Sequence, residues 1–308
     1  MARGFFEALT DRPLVLEPVP PSARSSPNRS AAHVEDLLRL LAEEPRIDAV
    51  DVPELVDENH DGRPYYRSGD IRRFAREVHE RSGREVLLNK VVAHLPNVGA
   101  LERWAEETTA QGLRHVVLVG GTSRYIPYPG PSVTEANRVL RPVVEAAGGS
   151  VGNIAIPQRT GEAHRMLLKT RSGARFFTTQ IVFDSESVLR MLGEYDRLCR
   201  QASRPPAPVL LSFAPIADEG DAEFVRWLGA DIPEVAERSI LNGDESEAGK
   251  RSTTRAIEVW RTVTTESRAR GIEVPLGVNV EQISVRHLAT AGDMVRRFAR
   301  EIDAGEPG

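Results

Sequence analysis

Short apolar runs rich in valine, leucine and isoleucine recur along the chain, and longer amphipathic stretches separate them. Eight of these runs have the length and composition of β-strands. They are Leu14–Val19, Ala49–Val52, Val86–Val92, His115–Val119, Gly152–Ile156, Arg175–Phe183, Pro208–Phe213 and Pro275–Val280. Between them, apolar residues recur three and four positions apart, which predicts helices that each bury one face. The predicted helices are Ala31–Glu44, Ile71–Arg81, Val98–Gln111, Ser132–Ala147, Glu162–Thr170, Ser185–Gln201, Ala248–Arg268 and His287–Ile302.

The alternation of strands and helices predicts the fold class. Such alternation favours βα units and a parallel sheet, and eight units in 308 residues fit a closed (β/α)8 TIM barrel. An open doubly wound sheet is the alternative, but it would need a glycine-rich phosphate loop after the first strand. That strand ends instead in Glu17-Pro18-Val19-Pro20-Pro21, which cannot form such a turn. We therefore predict one barrel domain over residues 1–308. A helical insertion after strand seven, between Ile216 and Gly271, is a candidate substrate lid.

Composition and charge exclude several classes of function. The net charge of −5 argues against a nucleic-acid groove. The N-terminal stretch lacks the apolar run of a signal peptide, and no window approaches the roughly 20 apolar residues that span a bilayer. The single cysteine, Cys199, excludes an internal disulfide and a cysteine-based zinc site. We therefore expect a cytoplasmic protein that acts on small molecules and binds no metal, and the sequence leaves the oligomeric state open.

Polar residues at the ends of the predicted strands are the candidate site, because a barrel brings the C-terminal ends of all its strands to one face. These residues are Glu17, Asp51, Glu54, Asn89, Lys90, Gly120, Gly121, Thr122, Ser123, Gln158, Arg159, Thr179, Gln180, Asp184, Asn279, Glu281 and Gln282. Glu17 and Gln180 lie within otherwise apolar segments, where an unpaired polar group costs a few kcal/mol. Each is therefore either a satisfied pair in the barrel interior or a functional group. Only three of the 40 basic residues are lysine, and this makes Lys90 and Lys169 more informative.

Other polar features favour structural interpretations. Gly120-Gly121 is as consistent with a tight turn as with close approach to a ligand. The acidic stretch Asp57–Asp61 matches no strong metal-ligand spacing and is interpreted as a solvated loop. Three histidines fall in helical patterns and are expected on the surface, namely His33, His79 and His164. His94 and His115 lie near strand ends and receive no assignment.

One stretch resembles a known family. Lys169-Thr-Arg-Ser-Gly-Ala-Arg-Phe-Phe-Thr-Thr-Gln180-Ile-Val-Phe-Asp184 is similar to the K-x-x-x-G-A-x-x-x-x-T-Q-x-x-F-D stretch around strand six of the methylenetetrahydrofolate reductases. Leu16-Glu17-Pro18-Val19-Pro20-Pro21 resembles that family's F-E-F-x-P-P, and Arg114-His-Val-Val-Leu-Val-Gly120-Gly121-Thr122 its R-H-I-V-A-L-R-G-D. The resemblance covers roughly residues 14 to 300, and it implies a (β/α)8 barrel.

The resemblance also implies roles for individual residues. Glu17 matches the family's catalytic acid, Gln180 its pterin-contacting glutamine, and Lys169 a lysine that contacts the flavin cofactor. Other positions depart from the pattern. On strand four, the family's arginine and aspartate are Gly120 and Thr122 here. On strand two, the threonine-tyrosine pair at the end is Asp51-Val52, and on strand three the final histidine is replaced near Asn89-Lys90. The tyrosine of strand five is Ile156. The folate side of the pattern is thus kept, while the flavin side is eroded.

The resemblance implies reduction of 5,10-methylenetetrahydrofolate to 5-methyltetrahydrofolate by NADH or NADPH, and the eroded flavin side favours direct hydride transfer over bound FAD. Glu17 would be the general acid. Gln180, Lys90 and Glu54 would bind the substrate, Lys90 by meeting the carboxylates of the folate tail. Lys169, Gly120 and Thr122 would lie on the cofactor side, where Lys169 could hold a phosphate. The alternatives are the same reaction through FAD, a folate-binding barrel without catalysis, and an unrelated aldolase or phosphosugar isomerase.

Overall fold

Eight parallel strands close into a barrel in the computed structural model, which describes residues 4–123 and 125–304. The strand order around the barrel is β1-β10-β9-β8-β7-β6-β5-β2, and every neighbouring pair is parallel. The barrel strands are β1 (Leu14–Glu17), β2 (Ala49–Val52), β5 (Glu85–Val91), β6 (His115–Val119), β7 (Ser150–Ala155), β8 (Phe176–Thr179), β9 (Val209–Phe213) and β10 (Leu276–Glu281). The predicted (β/α)8 barrel is therefore confirmed, and the open doubly wound alternative is wrong.

Amphipathic helices cover the barrel, and side-chain caps fix where several of them begin. Ser26, Asp70, Asn97, Ser132 and Asp184 each accept a hydrogen bond from a backbone N–H of the first helical turn. The helices around the barrel are α2 (Pro27–Glu43), α3 (Ile71–Ser82), α4 (Val98–Thr109), α5 (Val133–Ala146), α6 (Glu162–Ser172), α7 (Ser185–Gln201), α10 (Ala248–Ala269) and α11 (Leu288–Ala304). Their bounds lie within a few residues of the predicted ones. No helix of the described chain is long and apolar enough to cross a membrane.

The inward-facing residues of the strands change from apolar to polar along the barrel. Near the N-terminal ends they form an apolar cluster of Val15, Ala49, Leu87, Val117, Phe176 and Leu210. Phe5, from the short helix α1 (Phe5–Ala8), packs against this cluster, with its ring centroid 5.3 Å from that of Phe176. Further along three of these strands, two-residue alternation turns Glu17, Asp51 and Asn89 inward. The apolar end is thus closed, and the polar C-terminal end is the candidate site.

A small hairpin follows β2 where the sequence predicts a solvated loop. Strands β3 (Val56–Glu58) and β4 (Pro64–Tyr66) pair antiparallel, and the predicted loop Asp57–Asp61 lies partly in β3. The side chain of Glu58 in this segment is largely buried, and three hydroxyl and imidazole groups contact it. The solvated-loop interpretation is therefore wrong for Glu58, because contacts distant in sequence bury it.

The segment after β9 contains the predicted helical insertion. Helices α8 (Glu219–Trp227) and α9 (Glu234–Leu241) precede α10 and form an apolar cluster of their own, which includes Ile216, Val225 and Ile240. Helix α10 packs against α7 and α11, so it occupies the place of a barrel helix, and α8 and α9 are the added elements.

Candidate functional site

Three carboxyl groups lie side by side on adjacent strands at the C-terminal end of the barrel. Glu17 of β1 is in register with Glu281 of β10. On the other side, the register that pairs Val15 with Ala49 and Leu16 with Val50 brings Asp51 beside Glu17. We call these three residues the carboxyl row. Side chains on neighbouring strands are separated by roughly 5 Å, so the three groups interact electrostatically.

Hydrogen bonds connect the carboxyl row to neighbouring amide and hydroxyl groups. Asn279 Nδ2 donates to Glu17 Oε2 over 2.7 Å and to Ser212 Oγ over 3.2 Å. Ser212 also forms a hydrogen bond with Glu281. No Lys, Arg or His side chain forms an ion pair with any of the three carboxyl groups among the described residues. The row is therefore held by neutral partners and has no counter-ion in that part of the chain.

Burial and mutual repulsion keep protons on the row. Removal from water raises the pKa of Glu17 from 4.5 to about 7, and the hydrogen bond from Asn279 opposes part of that rise. Burial raises the pKa of Asp51 well above its usual value, and the negative charge of Glu17 raises it further. The same two causes, in the same order, raise the pKa of Glu281 well above its usual value. At neutral pH the row therefore holds protons that it can donate.

Several oxygens in and beside the row have no side-chain donor. Both carboxyl oxygens of Asp51, Oδ1 of Asn89 and Oδ1 of Asn279 are buried without a side-chain partner, and the backbone N–H of Val52 lies beside Asp51. Asp51 and Asn279 are fully buried, and Asn89 is 7% exposed. Unpaired buried acceptors are costly. They mark a place where a ligand that brings donors would be stabilised.

Gln180 lies just beyond the end of β8, at the same end of the barrel. Its Nε2 donates to the carbonyl oxygen of Leu228 over 3.0 Å, and its Oε1 accepts from the backbone N–H of Ile181 over 3.0 Å. Leu228 caps helix α8, so the insertion after β9 reaches the predicted pterin-contacting residue. A ligand that uses the side-chain N–H of Gln180 must replace this contact.

Lys90 and Glu54 form an ion pair on the outer side of the sheet. Lys90 Nζ lies 2.6 Å from Glu54 Oε1 and 5.6 Å from the ring centroid of Trp104 in α4, a helix that covers the barrel. Glu54 Oε2 also accepts from the backbone N–H of Val91 over 2.9 Å. Because Asn89 points inward, Lys90 points outward, away from the carboxyl row. The structure thus brings the two predicted substrate-binding residues together, and it does not bring them to Glu17.

The residues predicted on the cofactor side are already engaged within the protein. Lys169 Nζ donates to the carbonyl oxygen of Ile154 over 2.7 Å and lies 3.3 Å from Glu162 Oε1. Thr122 Oγ1 donates to Glu58 Oε2 over 2.7 Å. A Cβ at Gly121 would lie 2.2 Å from the ring of Tyr128, whereas one at the neighbouring Gly120 would meet Val133 at 3.4 Å.

Glu58, His94 and Tyr128 form a cluster that the sequence does not reveal, in which the side chains of Glu58 and His94 are buried and Tyr128 is half-buried. Tyr128 donates its hydroxyl hydrogen to Glu58 Oε2 over 2.6 Å, and His94 Nε2 lies 3.0 Å from Glu58 Oε1. These contacts fasten the β3–β4 hairpin to the loops after β5 and β6. They also give His94 a structural role. Tyr128 and Glu58 contact Thr122 after the end of β6, where the resemblance implies residues beside the flavin and pterin.

The remaining histidines are placed by local contacts. His115 lies near the apolar end of the barrel, between Ser150 Oγ and Glu85 Oε2, each 2.8 Å away. His164 is exposed and His79 is half-buried, as is usual for helices on a surface. His33 is buried against Phe74, so the expectation that it lies on the surface is wrong. It contacts the carbonyl oxygen of Val19, which comes from the loop after β1.

One group of described residues has the composition of a metal site, namely Asp218, Asp221 and His287, whose ligand atoms lie within 4.8 Å of one another. Asp218 caps helix α8, and Asp221 accepts a hydrogen bond from the backbone N–H of Ala217. His287 Nδ1 lies 2.9 Å from Asp221. These contacts already give the two carboxylates a structural use, so we assign no metal here.

Asp51 and Glu281 are among the polar strand-end residues that the sequence predicts at the site, but the sequence assigns neither of them a role. Neither interrupts an apolar run as conspicuously as Glu17 does. Strand alternation places Asp51 inward, on the same face as Glu17. That these residues flank Glu17 depends on the register between strands, which the sequence does not specify.

Comparisons with known proteins identify the fold. No family model matches the chain, and no curated protein matches it. A solved structure, an uncharacterized protein from Clostridium thermocellum that binds two copies of 5-methyl-5,6,7,8-tetrahydrofolic acid, superposes with a TM-score of 0.77. The match covers 96% of this chain and 98% of that one, with 16% sequence identity. At this identity the likeness shows that the two proteins share a fold.

The raised pKa of Glu17 predicts a pH-dependent stability. In the folded protein Glu17 keeps its proton up to about pH 7, while in the unfolded chain it loses the proton near pH 4.5. The free energy of unfolding of the wild type therefore falls as the pH rises from 4.5 to 7. Glu17→Gln lacks this penalty. Relative to wild type, its free energy of unfolding should rise by up to about 3 kcal/mol across that range, at about 1.4 kcal/mol per pKa unit. Urea denaturation from pH 4 to pH 8 measures the difference.

Glu301→Gln is the matched control, because the hydrogen bonds and the charge of Arg261 lower the pKa of Glu301. Above pH 4.5 the Glu301 variant should be less stable than wild type by an amount that stays constant. A flat difference for Glu17→Gln over the same range would show that Glu17 is ionised in the folded protein.

Proposed function

We propose that the protein reduces 5,10-methylenetetrahydrofolate to 5-methyltetrahydrofolate, with NADH or NADPH as the hydride donor. The observation that carries this proposal is the carboxyl group of Glu17, which keeps its proton up to about pH 7 at the C-terminal end of a (β/α)8 barrel. Active sites of such barrels lie at this end. A carboxylic acid with a pKa near neutrality is suited to general acid catalysis.

Two similarities support folate as the substrate class. The chain resembles methylenetetrahydrofolate reductases at Glu17 and Gln180, and the structure places both at the C-terminal end of the barrel. The Clostridium thermocellum protein of the same fold binds 5-methyl-5,6,7,8-tetrahydrofolic acid, which is the product of the proposed reaction. Residue pattern and fold thus favour the same class of ligand.

The substrate ring must be opened by protonation before the methylene carbon can accept a hydride. The five-membered ring of the substrate opens when Glu17 gives its proton to the departing nitrogen, and this leaves an iminium ion. A hydride from the reduced nicotinamide then adds to the methylene carbon and completes the methyl group. Gln180 offers one amide donor and one carbonyl acceptor to the pterin edge, after it releases the carbonyl of Leu228.

The contacts on the cofactor side support direct transfer from nicotinamide to folate. The ammonium of Lys169 donates to the carbonyl oxygen of Ile154 and forms an ion pair with Glu162, and the hydroxyl of Thr122 donates to Glu58. Arginine and aspartate, which the resemblance implies beside the flavin and pterin, are replaced by Gly120 and Thr122. Losing charge-assisted hydrogen bonds of about 1.5–3 kcal/mol each lowers affinity by orders of magnitude. We therefore infer a reaction without tightly bound flavin.

Replacing the acid tests the catalytic assignment. Glu17→Gln keeps the shape of the side chain but has no acidic proton, so turnover should fall by roughly 10²–10⁴-fold. Oxidation of NADH in the presence of 5,10-methylenetetrahydrofolate measures the rate. Glu85→Gln, at the opposite end of the barrel, should keep turnover near the wild-type value. If Glu17→Gln stays within a few-fold of wild type, Glu17 is not the acid. A wild-type protein that binds folate without turnover would instead be a non-catalytic folate-binding barrel.

Gln180 is predicted to bind the pterin. Gln180→Ala removes a donor and an acceptor, so folate affinity should weaken by about 1–3 kcal/mol. Isothermal titration calorimetry with 5-methyltetrahydrofolate measures this. Gln111→Ala is the control, because Gln111 also donates to a backbone carbonyl but follows α4, far from the carboxyl row. If the two variants bind 5-methyltetrahydrofolate with equal affinity, Gln180 does not contact the folate.

The route of the hydride can be followed with isotopes. We expect protein purified without added cofactor to be colourless, and stereospecifically deuterated NADH to deliver its deuterium to the methyl group of the product. Mass spectrometry of that product measures the transfer. A yellow protein whose activity is lost with its flavin and restored by FAD would establish the two-step flavin reaction instead.

A further inference from the structure

At the end of the barrel that carries Glu17, several buried acceptor oxygens have no hydrogen-bond partner. We propose that Asp51 and Glu281, with the carbonyl oxygens of Asn89 and Asn279, form a binding pocket for an organic cation. In the proposed reaction, which this inference deepens, the cation is the iminium ion formed when the folate ring opens. Asp51 and Glu281 then stabilise positive charge, while Glu17 supplies the proton.

The chemistry of the lining points to a cation or a donor-rich group. The side-chain oxygens of Asn89 and Asn279 are buried acceptors without a partner, and both oxygens of Asp51 become acceptors as well once Asp51 is ionised. The strands that surround Glu17 contribute Asp51 from β2, Asn89 from β5, Ser212 from β9 and Glu281 from β10. None of these side chains is basic. A ligand with positive charge or N–H groups satisfies such a lining, and an anion does not.

The spacing favours an organic cation over a single metal ion as the occupant. Among residues 4–123 and 125–304, only Asp218, Asp221 and His287 bring three ligand atoms of His, Cys, Asp or Glu within 4.8 Å of one another. The three carboxyl groups of the row do not. A planar organic cation spreads its charge over several atoms, and it can therefore meet carboxyl groups that are too far apart for one ion.

The proposed step keeps charge and atoms in balance. The proton moves from Glu17 to the departing nitrogen, and the electron pair of the broken carbon–nitrogen bond goes to that nitrogen. Positive charge remains on the methylene carbon and the nitrogen still bound to it, and Glu17 becomes a carboxylate. The hydride of the nicotinamide then neutralises this charge, leaving the nicotinamide oxidised. Preoriented acceptors stabilise the charge where it develops, as oxyanion holes do for charge of the opposite sign.

Binding of a cation is coupled to protons in this pocket. Burial raises the pKa values of all three groups, and repulsion by Glu17 raises those of Asp51 and Glu281 further, so the empty row holds protons at neutral pH. A bound positive charge favours the carboxylate forms and releases protons. The affinity for a cation should therefore rise with pH through neutrality, while the affinity for a neutral ligand should not.

Two folates that differ in ring charge test the proposal. 5,10-Methenyltetrahydrofolate carries a delocalised positive charge at the reacting carbon and resembles the iminium ion, whereas the same region of 5-methyltetrahydrofolate is neutral. We expect wild-type protein to bind the methenyl compound at least ~10-fold more tightly at pH 7, since a pair of opposite charges in a partly buried site contributes more than one tenfold step. Stopped-flow binding measures both affinities before the methenyl compound hydrolyses.

Asp51→Asn and Glu281→Gln keep the shape of each side chain and remove its charge. Each should reduce affinity for the methenyl compound by roughly 10-fold and leave affinity for the methyl compound within about 2-fold. Asp196→Asn is the matched control, because Asp196 is also fully buried but lies in α7, where it pairs with Arg200. It should not change the preference between the two folates.

The outcomes separate this proposal from the proposed function. If wild-type protein binds both folates equally, and the affinity for the methenyl compound does not rise with pH, the cation pocket is wrong and folate binding stands. If neither folate binds, the proposed function is wrong, and the iminium ion is not the occupant. The pH dependence of wild-type binding decides the case even if a variant fails to fold.

Discussion

Closure of the eight-stranded sheet is the constraint on which the site depends. In a closed barrel every second residue of each strand faces a confined interior. The lower part of this interior is filled by apolar side chains such as Val15 and Phe176, with Phe5 packed against them. Water is thereby kept from that end, and the polar residues one layer higher are left in a partly dehydrated space. The raised pKa values of Glu17, Asp51 and Glu281 follow from this arrangement.

The cost of burying three carboxyl groups is balanced by the rest of the barrel. Isolated buried charges are strongly unfavourable, and proteins usually avoid this cost by neutralising them. Here the row is neutralised by protons, because its described neighbours are amides and hydroxyls. A polar group kept at such a cost is more readily explained by function than by stability. The apolar clusters around the barrel supply the stability that allows it.

Added segments reach across the C-terminal end of the barrel and give the site its boundaries. Glu58 fastens the β3–β4 hairpin through its hydrogen bond from Tyr128. Arg67, which directly follows β4, lies over the ring of Trp227 at the end of α8, 5.6 Å from the ring centroid. The next residue, Leu228, contacts Gln180. Two segments that are distant in sequence thus meet above the strand ends. The predicted lid after strand seven is consistent with these contacts, and its movement stays a prediction.

The sequence by itself determined the fold class and the identity of Glu17 as an unusual residue. Apolar periodicity is local information, so the eight strands and their helices could be predicted to within a few residues. Glu17 could be recognised because it ends an apolar run directly before a proline-rich stretch. The Val56–Glu58 strand could not, because its burial depends on Tyr128 and His94, which lie far along the chain.

Only the tertiary structure decided which polar groups act together. Lys90 and Glu54 are predicted to bind the substrate, and the structure shows that they pair with each other and that alternation along β5 turns Lys90 outward. Asp51 and Glu281 flank Glu17 because of strand register across β2, β1 and β10. Register arises from hydrogen bonds between strands that are far apart in sequence. The sequence can therefore predict a carboxylate at a strand end. Only the closed barrel determines which groups surround that carboxylate and so set its pKa.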